Sequence, residues 1–194
     1  VVSNLIKLSR AGVSQLRRVF IMNGKPGTYG RPYPTHVAKY QRWLTTLHTL
    51  AYRLSGGRIG ATLLGMPMLL LTTVGRRSGT LRTAPLLYLP VDQVFLLVGS
   101  NGGARYHPTW WLNLLSYPEA LVQIGPVRGR VQAREATPAE RSRFWPLLLR
   151  VYPTYDQYQA RTDRPIPVIV LQPLDPELYS AVPARYQRHT SQAV

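Results

Sequence analysis

The chain has 194 residues, 45% of them hydrophobic, with 24 Lys+Arg against 8 Asp+Glu and no cysteine. That length suits one core rather than two full domains, and the missing cysteine excludes a disulfide scaffold, an iron–sulfur cluster, a cysteine zinc site and a thiol nucleophile. The formal charge of +16 is front-loaded, because residues 1–60 hold basic residues and no carboxylate; such a field attracts nucleic acid, an anionic membrane face or an acidic ligand.

In chain order, the first predicted element is a basic amphipathic helix over residues 1–20. Val2, Leu5, Ile6, Val13, Leu16 and Phe20 share one side, with Lys7, Arg10, Arg17 and Arg18 on the flank and opposite face. It can pack on the domain with its charges solvated, or lie on an anionic membrane surface. Its scattered basic residues do not fit a secretory signal, and the longest apolar stretch, Leu63–Leu71, is broken by Gly65 and Pro67 and too short to span a bilayer. The expected location is therefore the cytoplasm or the inner face of the cell membrane. Asn23–Pro34, dense in Gly, Pro and Tyr, is predicted as a linker, so residues 1–35 form an extension and 36–194 the folded domain.

Helical spacing resumes at Val37, Tyr40, Trp43, Leu44, Leu47, Leu50, Ala51 and Leu54, and Gly56-Gly57 closes the helix. From there the pattern turns to short β-like runs: Met68–Val74, Thr83–Leu89, Val94–Gly99, Ala120–Ile124, Val127–Arg134 and Pro167–Gln172. Two helices interrupt them, Pro108–Leu115 and Thr137–Val151, the second with a Thr-Pro-Ala-Glu capping signal. Gln123–Arg128 reads as a hairpin corner. The predicted class is α+β with a mainly β core, a small antiparallel barrel with inserted and flanking helices.

The histidines His36, His48, His107 and His189 are far apart, and none has a carboxylate at helical spacing, so no metal site is expected. P-loop, GxGxxG and GxSxG patterns are absent. Three segments stand out instead. Gly75-Arg76-Arg77-Ser78-Gly79 is a basic turn between two strands, able to surround a phosphate or several carboxylates, or to be an ordinary charged hairpin tip. Ser100–Ala104, with two glycines, leads into Trp110 and Trp111, which can line a groove or pack around their short helix. Tyr152, Tyr155 and Tyr158, at spacings of three after Pro153, offer apolar plates with hydroxyl donors, or line the rim of a core. Nucleic acid is not an expected partner, since the aromatics form no spaced stacking platform.

Together the segments LLLTTVGRRSGTLRTAPLLYL, GSNGGARYHPTWWLNL with YPEALVQI, and YPTYDQYQARTDRPIPVIVLQP resemble the deazaflavin (coenzyme F420)-dependent nitroreductase family, over about Gly57 to Pro173. The resemblance implies a split β-barrel fold related to flavin reductases. It further implies that Arg76, Arg77, Ser78 and Arg82 hold the phosphate and polyglutamate tail of F420. Thr83, Ala84, Pro85, Leu86 and Leu87 on one strand, and Val98, Gly99, Ser100 and Asn101 on another, would run beside the deazaflavin ring. Thr109, Trp110, Trp111, Leu112 and Asn113 would flank the same groove. Tyr155 would cover the acceptor, and the catalytic candidates are Tyr155, Tyr152, Tyr158 and Ser100. Two positions depart from the family pattern: Asn101, where many members have Lys, and Leu87, where some have Tyr and this chain places its tyrosine one residue later, at Tyr88.

The function so implied is hydride transfer from F420H2 to a small planar acceptor, quinone-like or nitroaromatic, near the membrane surface. The alternatives are an FMN-binding split-barrel reductase and a non-catalytic F420-binding peripheral membrane protein.

Overall fold

The computed structural model describes residues 35–63 and 65–187; the predicted helix over residues 1–20 and the linker Asn23–Pro34 lie outside them. Helix α1 (Thr35–Leu54) ends at Gly56 and Gly57, whose φ values of 57° and 80° lie in the left-handed region that glycine enters without a Cβ clash. Tyr52, in the last turn of α1, is 1% exposed. Its hydroxyl donates to the Met68 carbonyl and accepts the Gly125 N–H, which pins the end of α1 to two parts of the sheet.

Among the described residues the eight strands are β1 (Thr62–Leu63), β2 (Met66–Val74), β3 (Leu81–Leu87), β4 (Leu89–Val91), β5 (Val94–Val98), β6 (Glu119–Ile124), β7 (Val127–Glu135) and β8 (Val168–Pro173). All pair antiparallel, in the order β1-β2-β6-β7-β8-β5-β4, with β3 added to β2. The predicted corner at Gln123–Arg128 is the β6–β7 turn, with Ile124 opposite Val127 and Gly125 at φ 58°.

The run predicted as one strand over Thr83–Leu89 is two. As far as Leu87 it pairs with β2, from Val74↔Leu81 to Met68↔Leu87, and from Leu89 it pairs with β5. At Tyr88 the chain passes from one sheet edge to another. A period of two records which face a side chain takes, not which neighbour the strand has, so the alternation runs through the change of partner undisturbed. The two-residue β1 is too short to leave any period.

The helices between and after the strands are α2 (Thr109–Ser116), α3 (Pro138–Val151), α4 (Thr154–Gln159), α5 (Glu177–Ser180) and α6 (Ala184–Gln187). Thr137 and Glu140 form the capping box predicted for α3: the Thr137 side chain accepts the Glu140 N–H, and the Glu140 carboxylate accepts the Thr137 N–H at 2.8 Å.

Apolar side chains divide into two cores. Leu69, Leu71, Tyr88, Phe95, Leu97, Trp111, Val122, Val131, Ile169 and Leu171 fill the barrel. Leu96, Val168 and Val170 point the other way, into a second core completed by Phe144 and Leu148 of α3, the three α4-region tyrosines and Ile166. β5 and β8 are thus covered on both faces, which is why VFLLV and VIVL read as unbroken apolar runs. Burying each such side chain contributes about 1.5–3 kcal/mol. Among the described residues no helix is long and apolar enough to cross a membrane.

Candidate active site

The change of partner at Tyr88 creates the site. β4 and β5 pair as Leu89↔Leu96, Pro90↔Phe95 and Val91↔Val94. Continued outward, that register sets Leu87 against Val98 and Pro85 against Ser100. The ladder stops because β3 has gone to β2, while β5 beyond Leu96 pairs only with β8 among the described residues. A split opens between β3 and the end of β5, edged by main-chain N–H and C=O groups that no strand takes up.

Alternation distributes the side chains around this split. Leu87 and Val98, at its closed end, pack against the second core, the one that contains Tyr152, Tyr155 and Tyr158. Leu86 and Trp110 pack against the barrel core. Tyr88 faces the barrel as well, edge-to-face on Phe95 with ring centroids 5.5 Å apart, and lies on the opposite face from Leu87. Ala84 shares the face of Leu86, whereas Thr83 and Pro85 share the face of Leu87. Thr83 Oγ1 accepts from Arg53 of α1 at 2.8 Å and lies 2.9 Å from Thr72 Oγ1. Sequence reasoning missed Arg53, a lone arginine in the last turn of a helix, which carries no motif.

At the open end stands the basic turn. Gly75 accepts the Ser78 and Gly79 N–H groups, and the Ser78 hydroxyl lies 2.7 Å from that of Thr80. The Arg76 N–H donates to Asn113 Oδ1 at 3.2 Å, and Asn113 Nδ2 donates to Thr73 Oγ1 at 3.1 Å. Asn113, 2% exposed on α2, is therefore the buttress that holds the turn. Its neighbours on α2 divide: Trp111 is in the barrel core, Trp110 and Leu112 are half-buried, and Thr109 is exposed. Arg130, Arg134 and Arg143 have carboxylate partners, but Arg76, Arg77 and Arg82 make no ion pair among the described residues. Their charge is uncompensated.

The other wall is the loop that follows β5. Asn101, Gly102 and Gly103 take φ values of 48°, 65° and 81° in succession, and Asn101 Nδ2 donates to the Tyr106 carbonyl. A Cβ on Gly103 would stand 2.7 Å from the Tyr158 carbonyl oxygen, so this loop lies directly on α4. Arg164 holds it, by bonds from Nε to the Ala104 carbonyl (2.9 Å) and from Nη2 to the carbonyls of Ser100 (2.8 Å) and Gly99 (3.2 Å). Its Nη1 is 3.3 Å from His107 Nδ1. Burial first, and the Arg164 charge second, hold the His107 pKa below its ordinary value, which suits an unprotonated Nδ1 acceptor. Arg164 was missed too.

Tyr152, Tyr155 and Tyr158 are all buried, with the Tyr152 and Tyr155 rings edge-to-face at 4.9 Å and the Tyr152 and Tyr158 hydroxyls 3.4 Å apart. Tyr155, the middle one of the three, is 6% exposed. Burial, with Tyr152 adding a smaller effect, raises its pKa, so the hydroxyl keeps its proton and remains a donor. Of the residues singled out in the sequence, the structure thus gathers the basic turn, the two strand edges, the loop with Ser100 and Asn101, and the tyrosines around one split.

Comparison with known proteins gives the family. The family model for F420H2-dependent quinone reductases matches residues 43–173. An F420H2-dependent quinone reductase of Mycobacterium tuberculosis is 38% identical over 132 residues, covering 66% of this chain and 89% of that protein. The solved structure of an F420H2-dependent reductase is 37% identical, covers 55% of this chain and 94% of its own, and superposes with a TM-score of 0.51. A further solved structure, described as a domain-swapped dimer, is 32% identical, covers 70% of this chain and 98% of its own, and has a TM-score of 0.54. The fold is the split β-barrel of these reductases. The matched region runs from within α1 to the last residue of β8 and takes in every wall of the split, and the chain belongs to the F420H2-dependent quinone reductase family.

Proposed function

We propose that the split between β3 and β5 holds reduced coenzyme F420 and that a quinone-type acceptor meets it there on the side of the tyrosines. Family membership makes the chain an F420-dependent oxidoreductase; with no cysteine and no redox group of its own, it relies on the reduced deazaflavin to supply the hydride. The observation that carries the placement is the uncompensated charge of Arg76, Arg77 and Arg82. A phosphate and a chain of glutamates need several cationic partners, and these guanidiniums have no carboxylate partner among the described residues.

The chain's own residues then divide the work. Arg76, Arg77 and Arg82, with Ser78, take the anionic tail, while the outer main-chain edge of Thr83–Leu87 takes the polar rim of a flat ring and Val98–Asn101, its carbonyls held by Arg164 and the turn, forms the facing wall. Leu87 and Val98 exclude water at the closed end. Tyr155 donates a hydrogen bond or proton to the acceptor oxygen as charge grows on it, and Tyr152 and Tyr158, bonded to each other, fix its ring. Ser100 belongs to the wall beside the reacting ring.

Titrating the apoprotein with F420, FMN and NADPH in parallel tests this reading. F420 is expected to bind in preference to FMN, and more weakly as salt rises. Replacing Arg76 and Arg77 together should cost about 2–4 kcal/mol of F420 affinity, at about 1–2 per charge-assisted contact. Tight FMN binding without measurable F420 affinity would sink it. Turnover of bound F420H2 by a water-soluble naphthoquinone and by a nitroaromatic then separates the acceptor classes, with the quinone expected to be the faster.

A further inference from the structure

The connection between α4 and β8 is held to the tyrosine helices by side chains that no part of the proposed chemistry requires. Gln159, at the end of α4, accepts the Ile166 N–H at 2.8 Å and donates to the Arg164 carbonyl at 3.0 Å. Arg141 of α3 donates to the Ile166 carbonyl at 2.8 Å and lies over the Trp145 ring, which in turn is tilted against Tyr155. The segment around Arg164 is therefore fixed to the same body as Tyr155.

From that segment the Arg164 side chain reaches across to the loop, where it bonds the carbonyls of Gly99, Ser100 and Ala104. The loop has little to hold itself. Besides the Gly99 N–H to Pro167 carbonyl bond at its root, its own bonds among the described residues are Gly103 N–H to Ser100, Ala104 N–H to Asn101 and Asn101 Nδ2 to the Tyr106 carbonyl. Space is tight as well, since a Cβ on Gly99 would stand 2.8 Å from Pro167 and one on Gly103 would meet Tyr158. A guanidinium has five donors in a planar fork and can serve three diverging carbonyls at once; an ammonium has the charge without the fork.

We infer that Arg164 is a positioning residue for hydride transfer: it ties the Gly99–Ala104 wall of the split to the body that carries Tyr155, and so sets the distance between the cofactor's edge and the acceptor-side donor. This rests on the proposed placement of F420 in the split. A shift of about 1 Å at a reacting centre costs on the order of 100-fold in rate, so loss of the tie should appear in the chemical step more than in binding.

The test compares the full chain with Arg164→Ala and Arg164→Lys. In the cofactor-free protein, amide exchange over residues 99–107 should quicken at least several-fold in Arg164→Ala and remain fast in Arg164→Lys. In single turnovers with F420H2 and a naphthoquinone both saturating, and rates normalised to titrated cofactor sites, Arg164→Ala should fall about 30- to 100-fold while F420 affinity changes by less than about 5-fold. Added methylguanidine should restore part of the Arg164→Ala rate and none of the Arg164→Lys rate. A normalised rate within about twofold of the parent, or unchanged exchange over 99–107, overturns the inference and leaves Arg164 a fold contact only. Should Arg164→Ala fail to fold, Arg164→Lys carries the same two measurements. Exchange is read without cofactor, so a parent chain that fails to bind F420 counts against the proposed function and not against the tie itself.

Discussion

Desolvation disfavours the charged form of Tyr155, which is buried, and of His107, which is half-buried, with opposite consequences. Burial raises the phenol's pKa, so through the neutral range Tyr155 is a donor and never a phenolate. Tyr155→Phe removes that donor and keeps the ring. It is expected to slow hydride transfer about 10- to 1000-fold in single turnovers while F420 affinity stays nearly constant. Tyr152→Phe and Tyr158→Phe should do less, because their hydroxyls serve each other. Silence at all three positions would reduce the tyrosines to shape. For His107, burial and Arg164 lower the pKa against a smaller opposing effect of Glu135. The native state then binds fewer protons than the unfolded one below the ordinary value of 6.5, so its contribution to stability is full above that pH and is lost as the pH falls toward the native pKa. The protection of amides over residues 99–107, with the intrinsic pH dependence of exchange divided out, should fall as the pH drops below the ordinary imidazole value in the parent, and much less in His107→Gln, which keeps an acceptor and cannot titrate.

Among the elements, α3 offers the clearest check on local structure. Arg134 grips both oxygens of Glu140 at 2.6 Å, and with the Thr137 N–H it pushes the Glu140 pKa down to about 2. That contribution is present above the ordinary value of 4.5 and is lost as the pH falls through about 2. Thr137→Ala removes one half of the box and is expected to cost about 1 kcal/mol in chemical denaturation at neutral pH, with turnover unchanged. The box was legible in the sequence because capping is local, written within four residues. The end of α1 at Gly56-Gly57, the β6–β7 corner and the basic turn were legible for the same reason. What the sequence did not carry was partnership over distance. Nothing in Thr83–Leu89 marks the move from β2 to β5, and nothing around Asn113 or Arg164 announces that each supports a loop far away in the chain, because a single buried amide or guanidinium has no period and no motif. The tyrosines were legible as a group, but their place in a second core beneath β5 and β8 follows only from the double-sided burial of those strands.

At the scale of the whole molecule, charge and open edges remain to be accounted for. All eight carboxylates lie beyond residue 60, and several are spent on Arg130, Arg134 and Arg143, so most of the excess positive charge belongs to the front of the chain, and the basic turn adds three further guanidiniums. A membrane contact through residues 1–20 remains a proposal from sequence: Lys7, Arg10, Arg17 and Arg18 are worth about 1 kcal/mol each near an anionic surface, or roughly 4 before screening. The full chain is expected to sediment with anionic liposomes and not with neutral ones, and a chain starting after Phe20 should lose most of that binding; equal binding by both would exclude this segment as the anchor. The split has a cost as well as a use. A strand edge that no neighbouring strand pairs, such as the outer edge of β3, invites a strand from another molecule, so the opening proposed to admit the cofactor also exposes the protein to self-association when nothing fills it. The basic turn at its mouth opposes this by like-charge repulsion, a protection that salt removes. Light scattering of the apoprotein should therefore rise with both protein and salt concentration and fall again when F420 is added, and the cofactor would then act as guardian of solubility for the chain that uses it.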